Sequence, residues 1–178
     1  MKGRCAIGVC RVLMLLGSAM WVSSCATNQP VKAPEALLPP ANQIMVTELL
    51  ASGTQHYVCQ PATSGGTQWV SAGSEADLFD DGGNLVAHQT KGPSWIMADG
   101  SRIEGTLSAS APAPKQGDLQ WQLLTAHDAS GAGKFAHVQW IQQVSTHGGL
   151  NPEGTACIVG KVSRVPYTAT YRFFSPKS

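Results

Sequence analysis

The sequence predicts an all-β fold, a single sandwich or barrel of roughly ten short, mostly antiparallel strands. Three observations carry that expectation. Charged residues fill only 13% of 178 positions, while Gly occupies 19 and Pro 11, a composition poor in helix formers and rich in chain reversals. Short runs with period-two character recur every 8 to 12 residues or so, separated by Gly, Pro, Asn and Asp. No window carries a sustained apolar stripe at helical spacing.

The first element is not part of that fold. Residues 1–24 read as a secretory signal, with Lys2, Arg4 and Arg11 giving a positive start and Val12 to Trp21 an apolar run. The run is too short to cross a bilayer, which takes about 20 apolar residues. Val22-Ser23-Ser24-Cys25-Ala26 follows and resembles a bacterial lipobox, in which small residues precede a cysteine that is acylated and becomes the new N-terminus. Several acyl chains at Cys25 bury far more CH₂ groups than the single chain that anchors only marginally. Ala26, rather than Asp, after the cysteine implies an outer-membrane lipoprotein, facing either the periplasm or the surface. The expected membrane partner is therefore reached through the acyl chains on Cys25.

Losing the signal removes three of the 12 basic residues and none of the 11 acidic ones, so the mature chain is mildly acidic. That balance excludes a phosphate-backbone partner, and no nucleic acid is expected. Cys5 and Cys10 leave with the signal and Cys25 takes lipid, which leaves Cys59 and Cys157 as an even pair in an oxidising compartment. One disulfide is expected between them. Closing so long a loop is worth up to about 4.7 kcal/mol in the chain-entropy picture.

Residues 25–43 carry Pro30, Pro34, Pro39 and Pro40 and read as an extended tether. The β domain then occupies 44–178. Its strand runs are 44–51, 55–60, 68–71, 76–79, 84–89, 94–97, 102–108, 119–126, 135–145, 156–159 and 165–174. Ser52-Gly53, Asp81-Gly82-Gly83-Asn84 and Asp99-Gly100 supply turn chemistry between them, and Ala111 to Pro114 reads as a loop. The last run is the clearest, with Val165, Tyr167, Ala169, Tyr171 and Phe173 on one face.

Taken together, these runs resemble the DUF3455 family of secreted proteins of unknown function. The residues that carry the resemblance are Gly53 to Cys59, His88 with Gly92-Pro93-Ser94-Trp95, Asp99-Gly100-Ser101, Trp121 to Leu124, Thr146-His147-Gly148-Gly149 and Val165 to Ala169. Gln143 stands where the family tends to carry Arg, and Gln122 where it tends to carry an apolar residue. The resemblance supports the domain boundaries and brings no established activity.

Chemistry-bearing motifs are sparse. Gly131-Ala132-Gly133-Lys134-Phe135-Ala136 fits G-x-G-x-x-A, but a strand rather than a helix is expected after it, so no dinucleotide and no other cofactor is expected. The five histidines show no metal-ligand spacing, and no metal is expected. His88 and Asp99 fall within twelve residues, and across a hairpin they would make an acid/base pair if both opened into one pocket. No nucleophile or second carboxylate accompanies them by spacing, and Asp99-Gly100 has the chemistry of a turn. Trp95 and His147 are the candidate binding residues, the one as an indole face for a sugar ring and the other in a Gly-rich loop on a rigid scaffold. The sequence thus favours a lipid-anchored envelope protein that binds a glycan or an envelope partner without catalysis. The alternative is a small secreted enzyme acting on a polymer through His88 and Asp99.

Overall fold

A computed structural model describes residues 31–151 and 156–177. The signal and Cys25 lie outside these residues, as does the first part of the expected tether. Among the described residues there are eight strands: β1 (Gln43–Pro61), β2 (Thr67–Phe79), β3 (Leu85–Thr90), β4 (Ser94–Met97), β5 (Arg102–Ala111), β6 (Trp121–Ser130), β7 (Trp140–Gly148) and β8 (Val162–Pro176). Each pairs antiparallel with its neighbours in sequence, and β8 returns to pair with β1, closing an up-and-down barrel. Closure leaves no free sheet edge.

The fold is all-β as the composition predicts, but eight strands of 4 to 19 residues replace roughly ten short ones. The first two runs form one strand because Ser52-Gly53 is not a turn: Gly53 pairs with Ala76 and Tyr167 in mid-ladder. A Cβ at Gly53 would overlap the Glu75 carbonyl and Ala76, so glycine there serves a close approach of β1 to β2. The runs 68–71 and 76–79 likewise merge into β2. Residues 156–159 form no strand, and 135–139 turn instead of extending β7.

The inside of the barrel differs along its axis. At the end where β1 begins and β8 finishes, Leu49, Leu78, Ile103, Ile141 and Phe173 are buried, as alternation along each strand requires. The 131–139 loop adds Phe135 and Val138 to this cluster, the Phe135 ring lying 4.6 Å from that of Phe173. Asp99 holds that loop in place. Its carboxylate accepts bonds from Ser101 N (2.9 Å), Ser101 Oγ (2.6 Å) and Lys134 N (2.9 Å), while Phe135 N donates to Ser101 Oγ. This end is sealed by packed side chains.

Residues 31–42, part of the segment read from the sequence as a tether, are mostly exposed and touch the barrel through Ala33 and Leu37. Glu35–Leu37 form a short 3₁₀ turn, and Ala33 and Leu37 join Trp121, Leu123 and Val144 in a second buried cluster. Gln142 Nε2 donates to the Leu37 carbonyl at 2.7 Å, and Arg172 Nη1 to the Val31 carbonyl at 3.0 Å. Apolar burial at two positions and these bonds outweigh the extended preference of the prolines.

At the opposite end the expected disulfide is present between Cys59 and Cys157, with Cα atoms 5.9 Å apart and 98 residues of separation. It joins the end of β1 to the β7–β8 connection. Cys59 N also donates to the Lys161 carbonyl, and Tyr57 Oη to the Gly149 carbonyl at 2.8 Å, so the connection is fastened to β1 at several points.

Candidate functional site

The end bordered by the disulfide is hollow. A cavity of about 720 Å³ opens there, reached by the inward faces of β1 to β8. That volume lies in the range of small-ligand sites, and an eight-stranded barrel is wide enough to hold one small ligand.

The inward face of three strands changes character as it approaches this end. On β1, Leu49 and Ala51 give way to Gln55; on β3, Ala87 gives way to Gln89; on β7, Ile141 gives way to Gln143. All three glutamines are buried and line the cavity. A buried amide costs roughly 1 to 3 kcal/mol unless its hydrogen bonds are met, and here all three amide nitrogens and two of the three oxygens find partners. Gln55 Nε2 donates to Ser71 Oγ (2.8 Å) and the Gly73 carbonyl (3.0 Å). Gln89 Nε2 donates to Ser74 Oγ (3.0 Å), and its Oε1 accepts from Tyr167 Oη (2.9 Å). Gln143 Nε2 donates to the Gln120 carbonyl (3.1 Å), and its Oε1 accepts from Tyr171 Oη (2.5 Å). These partners fix each amide's orientation.

Aromatic side chains complete the lining. Trp95 is buried and meets Tyr171 edge to face, with ring centroids 5.6 Å apart. Gly105 makes room for its indole, since a Cβ there would fall 2.9 Å from Trp95 Cζ3. Trp95 Nε1 is buried without a hydrogen-bond partner among the described residues. Trp69, on β2, is only half-buried and lies in the same lining. Among the described residues none that lines the cavity carries a charge. Burial pushes the Tyr171 hydroxyl, which reaches Gln143 at the cavity wall, well above the ordinary phenol value, and Tyr167 is raised by the same cause. Both stay neutral phenols.

The residues singled out from the sequence are thereby sorted. Trp95 lies in the cavity wall, toward the sealed core. His147 is not in the lining; its side chain is 73% exposed, and Nδ1 is 3.8 Å from the Asp118 carboxylate, which accepts a bond from Gly148 N. His88 and Asp99 do not share a pocket. His88 is exposed opposite Ile96 and pairs with Asp77, Nδ1 to Oδ1 at 2.7 Å, while Trp95 faces inward. Asp99 sits at the sealed end, engaged with Ser101 and Lys134, and these hydrogen bonds, Ser101 Oγ first, hold its carboxyl below the ordinary range.

One exposed group brings together a potential ligand atom each from Glu104, His127 and Asp128, all within 4.8 Å of one another. Each already has a partner: Arg102 Nη2 donates to Glu104, and His127 bridges Asp128 and Thr106. The G-x-G-x-x-A segment leads into a turn rather than a helix, and a Cβ at Gly133 would overlap the Asp99 carboxylate. Its glycine serves packing at the sealed end.

Of the cavity glutamines, Gln122 and Gln143 stand out in the sequence only as departures from the family's pattern, and Gln55 and Gln89 do not stand out as site residues. Their signal was an amide at an inward position of an otherwise apolar period-two face, visible only once the register is known.

A meander barrel of eight strands, sealed at one end and hollow with an uncharged aromatic and amide wall at the other, defines the structural class. Residues 39–175 match the family described as protein of unknown function (DUF3455), and the chain belongs to that family. Neither a curated protein nor a solved structure matches it.

Proposed function

We propose that this chain is an exported, lipid-anchored envelope protein whose barrel is a non-catalytic binding module, taking the end of a glycan or a comparably small ligand into the hollow end. The observation that carries this reading is the cavity, whose polar groups are oriented in advance by bonds to one another. Ordering these side chains before binding lowers the entropy cost of association. A catalytic reading finds less support, because His88 and Asp99 are spent on separate local contacts. Anchoring rests on the signal-like segment and the lipobox-like sequence ending at Cys25.

The test is thermal unfolding of the full chain in detergent against envelope glycan fragments and small metabolites. At least one compound is expected to raise the melting temperature by mass action, and Trp69→Ala is expected to reduce the rise. Stabilisation by nothing in the panel, or an undiminished rise in Trp69→Ala, would contradict the reading.

A further inference from the structure

We infer that the hollow end selects an uncharged sugar ring, a neutral hexopyranose unit, over charged sugars and over purely apolar ligands. The inference rests on the binding reading above and names the chemistry the site would take.

The wall is neutral throughout. It offers amides, hydroxyls and aromatic faces, and among the described lining residues there is no Lys, Arg, His, Asp or Glu to meet an ionic group. A carboxylate or ammonium brought into this mouth loses water and gains no counter-charge, so charged ligands are disfavoured. A purely apolar ligand fares poorly for the opposite reason, because Gln55 Oε1 and the Gln122 side-chain amide have no hydrogen-bond partner among the described residues, and an alkyl chain would cover them without replacing their water. A pyranose meets both demands. Its axial C–H face packs on an indole or phenol ring, and its equatorial hydroxyls donate to and accept from amides. Half-buried Trp69 at the mouth supplies an aromatic face, and Gln122 and Gln143, paired across the β6–β7 ladder, supply amides elsewhere on the same lining. The amide geometry is held by the Tyr167, Tyr171, Ser71 and Ser74 hydroxyls, so the pattern presented to a sugar is fixed before it arrives.

Isothermal titration of the full chain in detergent tests this with disaccharides of matched shape. The probes are cellobiose and N,N′-diacetylchitobiose (neutral), the free-amine chitosan dimer (cationic), cellobiouronic acid (anionic) and 1-decanol (apolar); glucose tests whether one free ring suffices. At least one neutral disaccharide is expected to bind about tenfold or more tighter than both charged dimers and decanol. Trp69→Ala is expected to weaken it about tenfold, with the folded state retained at the titration temperature as judged by circular dichroism. Gln122→Glu, placing a carboxylate at the half-buried mouth, is expected to improve binding of the cationic dimer and weaken the anionic one. Equal or tighter binding of a charged dimer, or of decanol, at a site sensitive to Trp69→Ala would overturn the neutral-sugar inference and leave the binding reading standing. Binding of no probe would overturn the inference, and binding indifferent to both variants would overturn it together with the hollow end as the site.

Discussion

Asp99 shows how a residue with catalytic chemistry can be committed to architecture. Three donors on one carboxylate hold the sealed end, joining the β4–β5 turn to the loop that carries Phe135. The same bonds favour its charged form and depress its pKa, as the Asn84 amides do for Asp80. A carboxyl whose folded pKa is lowered stabilises the fold fully above its unfolded value, about 3.9, and loses that contribution as pH falls through the folded value. Thermal unfolding followed against pH is therefore expected to show a melting temperature that drops as pH falls below about 4, and Asp99→Asn is expected to flatten that drop. An identical acid profile in Asp99→Asn would contradict the assignment. The turn at Asp99-Gly100 was legible in the sequence because turn chemistry is local. The bond to Lys134, 35 residues away, was not.

At the scale of elements, the period-two runs fall on all eight strands but miss several residues of most of them, and the positions of Tyr167, Ala169, Tyr171 and Phe173 on one face of β8 agree with their burial. Strand ends were read less well where glycine was taken as punctuation. Gly53 sits inside β1 because two strands approach too closely for a side chain, a reason that depends on the partner strand and cannot be seen in the local sequence. The contact of residues 31–42 with the barrel is not legible for a related reason, since Leu37 meets Trp121, Leu123 and Val144 only once the chain is folded. The disulfide was legible from the cysteine count and the expectation of export. It closes a loop of 98 residues and fastens the β7–β8 connection beside the cavity. Reduction, or the double change Cys59→Ser with Cys157→Ser, is expected to cost about 2 to 5 kcal/mol, seen as a lower denaturation midpoint. An unchanged midpoint would mean that the bridge contributes nothing to stability.

The whole molecule divides its labour between two ends of one barrel. One end is filled by Phe135, Phe173 and their neighbours and secures the fold; the other is left hollow and lined with amides, which secures nothing that an apolar wall would not do better. Buried amides in place of leucines lower the return from burial, and that sacrifice of stability is the physical reason to place the ligand there. Upstream of the barrel, the lipobox-like sequence leads to a prediction about place: Cys25→Ala is expected to move the protein from the membrane fraction to the soluble fraction of cells. Retention of the variant with membranes would refute lipid anchoring at Cys25. With only Tyr57 and Tyr171 able to titrate in the described lining, and burial raising both above the ordinary phenol value, ligand affinity is expected to stay level between about pH 5 and 8.

The account turns on whether the hollow end is where ligand sits. Side-chain amide resonances of the glutamines in ¹⁵N-labelled full chain, followed by NMR during titration with N,N′-diacetylchitobiose and cellobiose, report on that position directly. Gln55, Gln89, Gln122 and Gln143 are expected to shift together in a saturable manner, while Gln60 and Gln68, exposed on β1 and β2, stay in place. Saturable shifts confined to glutamines outside the cavity, or no shift in any glutamine at saturating sugar, would contradict it.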